Sequence, residues 1–146
     1  ARDITRAEFA QLVYQMLIIP DILPAEFTEF TDVLPSDWFT PAVAYLYHTG
    51  IIRGYDDGSF RPEQSLSRNE AMLMIYKLSE VSGEDDNLIE VQDYQDIPEW
   101  ARPAVNWAYS KNIIKGYADG TFRGASQLSR AECATVIFNW LKSGVI

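Results

Sequence analysis

Leu66-Ser67-Arg68-Asn69-Glu70 is the stretch from which the fold can be read, because the chain carries three versions of it. Ile4-Thr5-Arg6-Ala7-Glu8 puts its arginine 62 residues earlier, and Leu128-Ser129-Arg130-Ala131-Glu132 puts its own 62 residues later. A fixed spacing of this size marks a repeat array. In each phrase a hydroxyl residue (Thr5, Ser67, Ser129) precedes a glutamate (Glu8, Glu70, Glu132) by three positions. That is a capping box, in which hydroxyl and carboxylate satisfy each other's backbone N–H at a helix start. Ala71, Met72, Ile75 and Leu78 then continue at helical spacing, as do Ala134, Val136, Ile137 and Leu141. Three helices therefore begin at the three phrases.

The same offset of 62 extends upstream of the phrases. It lays Trp38 on Trp100, Pro41 on Pro103, and Ile51-Ile52-Arg53-Gly54-Tyr55 on Ile113-Ile114-Lys115-Gly116-Tyr117. Asp57-Gly58-Ser59-Phe60-Arg61 likewise falls on Asp119-Gly120-Thr121-Phe122-Arg123. Another helix is expected just after each tryptophan, with proline in the first turn, where its missing N–H costs nothing. It should stop at Gly50 and at Asn112, residue types that close helices in the left-handed conformation. Asp57-Gly58 and Asp119-Gly120 are turn signals, and little sheet is expected. Further upstream, Phe30-Thr31-Asp32-Val33 matches Tyr94-Gln95-Asp96-Ile97 at an offset of 64, which requires two extra residues before Trp38.

The resulting organisation is all-α. Residues 1–20 form the second half of one repeat, 21–29 a connector, 30–80 a second repeat, 81–93 an acidic connector and 94–146 a third repeat. Pro20 and Pro24 should stiffen the first connector. Gly83-Glu84-Asp85-Asp86-Asn87 should be solvated in the second, with a short extended piece at Leu88-Ile89-Glu90-Val91. Because the first copy contains only its second helix, the sequence is expected to be a piece of a longer protein.

The three arginines need a separate explanation. Each falls at the first helical position, where the helix dipole disfavours a cation by roughly 0.3–1 kcal/mol at exposed sites. Two roles fit: a donor fork that grips an anion together with free helix N–H groups, or an internal salt bridge to Asp32, Asp96 or another carboxylate. Trp38 and Trp100 could offer a flat face to a sugar ring, although tryptophan at a helix start is more often core. Gly54 and Gly116 could admit a ligand close to the backbone, although a conformational need is the commoner reason for such glycines. Arg53 and Lys115 keep a positive charge beside them.

Other chemistries fit poorly. One histidine, His48, and one cysteine, Cys133, rule out His- or Cys-based metal clusters and an internal disulfide; His48 reads as a helix-face or helix-end residue. An EF-hand counted from Asp57 would place Pro62 where glycine is needed and Arg68 where the bidentate glutamate belongs. Among 21 acidic residues no pair stands in a glycosidase context. The net charge of −9 disfavours nonspecific nucleic-acid binding, and no apolar run approaches the ~20 residues of a membrane span. Neither a cofactor nor catalysis is indicated.

Taken together, Phe30-Thr31-Asp32-Val33, Trp38, Gly50-Ile51-Ile52-Arg53-Gly54-Tyr55, Asp57-Gly58-Ser59-Phe60-Arg61-Pro62 and Ile4-Thr5-Arg6-Ala7-Glu8 resemble the S-layer homology (SLH) domain family. The resemblance covers nearly the whole chain. It implies a pseudo-threefold, all-helical spindle of SLH repeats, here with the first repeat incomplete. It implies a noncatalytic anchor at the bacterial cell surface that binds secondary cell-wall polysaccharide, pyruvylated in many members, in grooves between repeats. Polyamine-modified peptidoglycan is an alternative ligand, and a structural S-layer assembly module an alternative role. By resemblance, ligand contact falls on Arg6, Arg68 and Arg130, with Asp32, Asp96, Trp38, Trp100, Gly54 and Gly116 as groove walls. Self-association, or another chain, could complete the first repeat. Asn69 in place of alanine, Cys133 in place of an aromatic, and Gly124 where Pro62 predicts proline depart from the pattern. They point to a last groove of altered shape or strength.

Overall fold

The computed structural model describes residues 2–17, 26–81 and 89–144. Pro20, Pro24, Gly83–Asn87 and Leu88, to which the sequence assigned connector roles, lie outside the described residues; Ile89, Glu90 and Val91 have no regular structure. Five α-helices follow in order: α1 (Arg6–Met16), α2 (Thr40–His48), α3 (Arg68–Leu78), α4 (Arg102–Ser110) and α5 (Arg130–Ser143), with a 3-10 turn at Tyr94–Asp96. The β structure among the described residues is limited to isolated bridges such as Thr5–Ser65 and Ser67–Gln127. The all-α expectation holds.

The helix starts follow from the sequence phrases. Thr5 Oγ1 accepts the N–H of Glu8, while Glu8 Oε1 accepts the N–H of Thr5, closing the capping box; Ser129 and Glu132 do the same. Ser67 also accepts from Glu70 N–H, but its hydroxyl donates to the Glu70 carboxylate instead of the backbone closing the box. α2 and α4 start with proline in the first turn and no side-chain cap. Gly50 at φ 76° and Asn112 at φ 57° follow them in the left-handed region, as expected. His48 is the last residue of α2, beside the rings of Phe27 and Tyr47.

The chain packs as two compact units, and these are out of phase with the sequence repeat. The unit Ile4–Ser65 joins α1 to α2. Its core contains Phe9, Ala10 and Val13 from α1, with Val43 and Leu46 from α2, and Phe30 stacks on Phe60 with ring centroids 5.5 Å apart. The second unit, Leu66–Ile146 with Ala1–Asp3, packs α3 on α4. Met72, Ile75, Val105, Phe122 and Trp140 are fully or almost fully buried there, and the Trp140 indole donates to Ser79 Oγ at 2.8 Å. Corresponding aromatic pairs tie the helices of each unit: Tyr14 with Tyr45, and Tyr76 with Trp107.

Each unit also carries a tight turn of the same design. Tyr55 N–H donates to Ser59 O and Tyr117 N–H to Thr121 O, both at 2.8 Å. Gly58 and Gly120, at φ 82° and 83°, take the left-handed position in these turns. Asp57 and Asp119 accept from the backbone and side chain of Ser59 and Thr121, and these bonds hold both carboxyls down to about 2.

The upstream register differs from the sequence expectation. Asp32 accepts the N–H groups of Phe60 and Arg61, both at 2.8 Å, and its counterpart in the other unit is Asp93, which accepts those of Phe122 and Arg123 at 2.8 Å. Thr31 N–H and Gln92 N–H reach Gly58 O and Gly120 O in the same way. Asp96 is exposed on the 3-10 turn. The expectation that Asp32 and Asp96 correspond is therefore wrong. Residues Tyr94–Asp96 form a local detour, after which Ile97 is buried as Val33 is. Matching the apolar residue hid the shift of the capping aspartate.

Candidate functional site

α3 begins with a cation that the helix dipole disfavours, and the structure shows what offsets the cost. The Arg68 side chain is only 4 % exposed. Its Nε donates to Phe122 O at 2.9 Å, Nη2 to Lys115 O at 3.1 Å, and Nη1 forms an ion pair with Glu132. The guanidinium carbon lies 4.8 Å from the centre of the Tyr117 ring and 5.0 Å from that of Phe122. The other unit repeats the core of this arrangement. Arg6 Nε donates to Phe60 O at 2.9 Å, with the guanidinium 5.0 Å from Tyr55 and 4.8 Å from Phe60. Both arginines hold the carbonyl of the phenylalanine that ends the tight turn.

A groove of about 460 Å³ opens beside Arg68, within the size range of small-ligand clefts. Ile113, Ile114 and Val136, all nearly buried, form an apolar floor. Lys115, Thr135 and Asn139 supply polar groups, as do Arg68 and Glu132. Glu132 also accepts from Tyr117 Oη at 3.2 Å, so its carboxylate joins a cap, an ion pair and a phenol. With Glu132 matched to Arg68, the remaining formal charge is that of Lys115. An apolar floor with a cation and amide or hydroxyl groups at the edge suits one face of a sugar ring with an acidic substituent.

The other residues singled out from sequence divide clearly. Arg130, the first residue of α5, is exposed. Asp32 caps the Phe60 turn, and Asp96 does not line the Arg68 groove. Trp38 and Trp100 are 61 % and 53 % exposed, which corrects the reading of a helix-start tryptophan as core; Trp100 does not line the Arg68 groove either. Gly54 and Gly116 are required by packing: a Cβ on Gly54 would lie 2.2 Å from Phe30, and one on Gly116 2.7 Å from Tyr109 Oη. The salt-bridge partner of Arg68 is Glu132, which also closes the capping box of α5. Asn139 was not singled out from sequence because nothing in its spacing separates it from an ordinary helix-face residue. Asp93 left a signal: it precedes Phe122 by 29 residues as Asp32 precedes Phe60 by 28.

Among the described residues no group of side chains could hold a metal ion, and no helix is long and apolar enough to cross a membrane.

The family model described as S-layer homology domain matches residues 29–72 and 93–134. The chain is 38 % identical over 117 residues to cell surface glycoprotein 1 of Acetivibrio thermocellus, a match covering 77 % of this chain and 5 % of that protein. It is 32 % identical over 146 residues to the cellulosome-anchoring protein of the same organism, covering 97 % of this chain and 33 % of the relative. It is 33 % identical over 150 residues to an amylopullulanase of Thermoanaerobacterium thermosulfurigenes, covering 99 % and 8 %. The chain thus spans a third or less of the length of each. With both copies of the turn-and-helix phrase matched, the chain belongs to the S-layer homology domain family.

Proposed function

We propose that this chain is a noncatalytic anchoring module that attaches a longer protein to the bacterial cell wall by gripping an acidic secondary wall polysaccharide. Its place is the cell surface, as the family and the surface-layer relatives indicate. The observation that carries the ligand reading is the groove beside Arg68, with an apolar floor and a net positive edge at Lys115. A pyruvate ketal on a sugar supplies the matching anion, which a charge-assisted bond holds about twice as strongly as a neutral one. The relatives support the anchoring part, since one is named for anchoring and others are surface-layer proteins. The amylopullulanase similarity covers 8 % of that enzyme and does not bring its chemistry to this chain.

One observation favours a second reading, in which the arginines are structural: Arg68 already has three acceptors and is almost wholly buried. Lys115, being exposed, separates the two. Pull-down on purified sacculi, before and after extraction of the secondary polymer, tests the ligand. Binding is expected to disappear with the polymer and to weaken several-fold in Lys115→Ala. Retention on polymer-free sacculi would overturn the polysaccharide reading and favour a peptidoglycan ligand. Undiminished binding by Lys115→Ala would remove the groove from the site.

A further inference from the structure

The distribution of lysine in this chain is uneven. Of four lysines, three (Lys111, Lys115 and Lys142) line a single pocket of about 350 Å³ in the Leu66–Ile146 unit. Asn112, Asn139 and Ser143 complete its lining, and among the described residues no carboxylate lines it. In a chain with 21 acidic against 12 basic residues, a pocket lined among the described residues by three cations and no anion departs from the composition around it.

Helix ends account for two of these lysines only singly. Lys111 follows α4 and Lys142 lies in the last turn of α5, where a cation complements the dipole. Yet α1 has no basic residue in its last turn, α3 has Lys77 there, and α2 ends in His48 followed by Thr49. The repeat does not require them either: 62 residues before Lys111 and Lys142 stand Thr49 and Glu80. The fold forms its other copies without a lysine at either of these repeat positions. Lys115 and Asn139 line both this pocket and the groove beside Arg68, so the two cavities share a wall. Asn139 Nδ2 donates to Ile113 O at 3.3 Å, which holds α5 against the segment that carries Lys115.

We propose that Lys111, Lys115 and Lys142 form a second anion subsite contiguous with the groove, so that one polysaccharide chain is held through carboxylates on two successive sugars. This rests on the groove being a glycan site. The groove seats one acidic sugar over Ile113 and Ile114, and the lysine pocket receives the carboxylate of its neighbour. The site therefore distinguishes a polymer with repeated acidic groups from a single acidic sugar.

The test uses two probes, a hexosamine monosaccharide with one 4,6-pyruvate ketal and a 1,3-linked disaccharide with a ketal on each sugar. Titration calorimetry compares the wild-type chain with a Lys111→Thr, Lys142→Glu double variant, which installs the residues of the preceding repeat at two exposed positions. The wild type is expected to bind the disaccharide about tenfold more tightly than the monosaccharide, as two exposed charge contacts would give. The double variant is expected to lose that tenfold advantage, read as the ratio of its own two affinities, so that a general weakening of both probes by the added negative charge does not enter the comparison. If the wild type shows no preference for the disaccharide, or the variant keeps it, the second subsite falls while the groove stands. If the wild type binds neither probe, the groove reading falls and the subsite with it.

Discussion

Arg6, Arg68 and Arg130 occupy one position in the repeat, but only the first two are buried against a phenylalanine carbonyl. Arg68 is buried against two carbonyls and Glu132, whereas Arg130 is exposed. Truncating Arg68 leaves the Phe122 and Lys115 carbonyls without their donor, while the partly exposed Glu132 can turn to water, so Arg68→Ala is expected to cost about 1–3 kcal/mol. Arg130→Ala, at an exposed position, should change stability by less than about 0.5 kcal/mol. Urea denaturation of the two variants measures both, and equal losses would contradict the structure. Asp57 and Asp119 give a pH signature at the same scale. Hydrogen bonds from Ser59 and Thr121 lower each carboxyl from 3.8 to about 2 in the folded chain. A depressed folded value contributes stability that is present above about pH 4 and lost as pH falls through about 2. Carbon-13 titration of these side chains should show midpoints near 2, and midpoints near 3.8 would mean that the turns do not hold them.

Between elements, two departures from the family pattern turn out to be one packing change. Ala7 N–H donates to Pro62 O at 2.9 Å in one unit, and Asn69 N–H to Gly124 O at 2.9 Å in the other. A Cβ on Gly124 would fall 2.2 Å from Asn69 Oδ1, so the larger side chain on α3 occupies the space that a proline ring would need. Gly124→Pro alone should therefore destabilise the chain by about 1–3 kcal/mol through overpacking. Asn69→Ala with Gly124→Pro, which restores the pair found at Ala7 and Pro62, should recover most of that loss. A double-mutant cycle measures the coupling, and additive effects would show that the residues act independently. From sequence, Asn69 and Gly124 looked like separate irregularities, because 55 positions divide them and only the tertiary fold puts them in contact.

For the whole molecule, the net charge of −9 opposes the approach of the proposed acidic polymer, which the Lys115 region would attract at short range. Interactions between exposed charges farther apart than the Debye length, ~10 Å at 0.1 M salt, are largely screened, so moderate salt removes the long-range repulsion first. Association with acidic wall polymer is expected to quicken between about 0.01 and 0.1 M salt, measured by surface plasmon resonance. A falling association rate would mean that the lysine region dominates the approach. The sequence by itself determined the helix-rich repeat, the three helix starts and their caps, and the family, because capping and turn chemistry are local and recur in register at Thr5–Glu8, Ser67–Glu70 and Ser129–Glu132. The tertiary structure alone decided that Glu132 pairs with Arg68, that Asp93 takes the role expected of Asp96, and that Trp38 and Trp100 face solvent. It also brought Lys111, Lys115 and Lys142 to one pocket. The physical reason is that a cap is satisfied within four residues, whereas an ion pair or a pocket depends on which distant backbone folds against it.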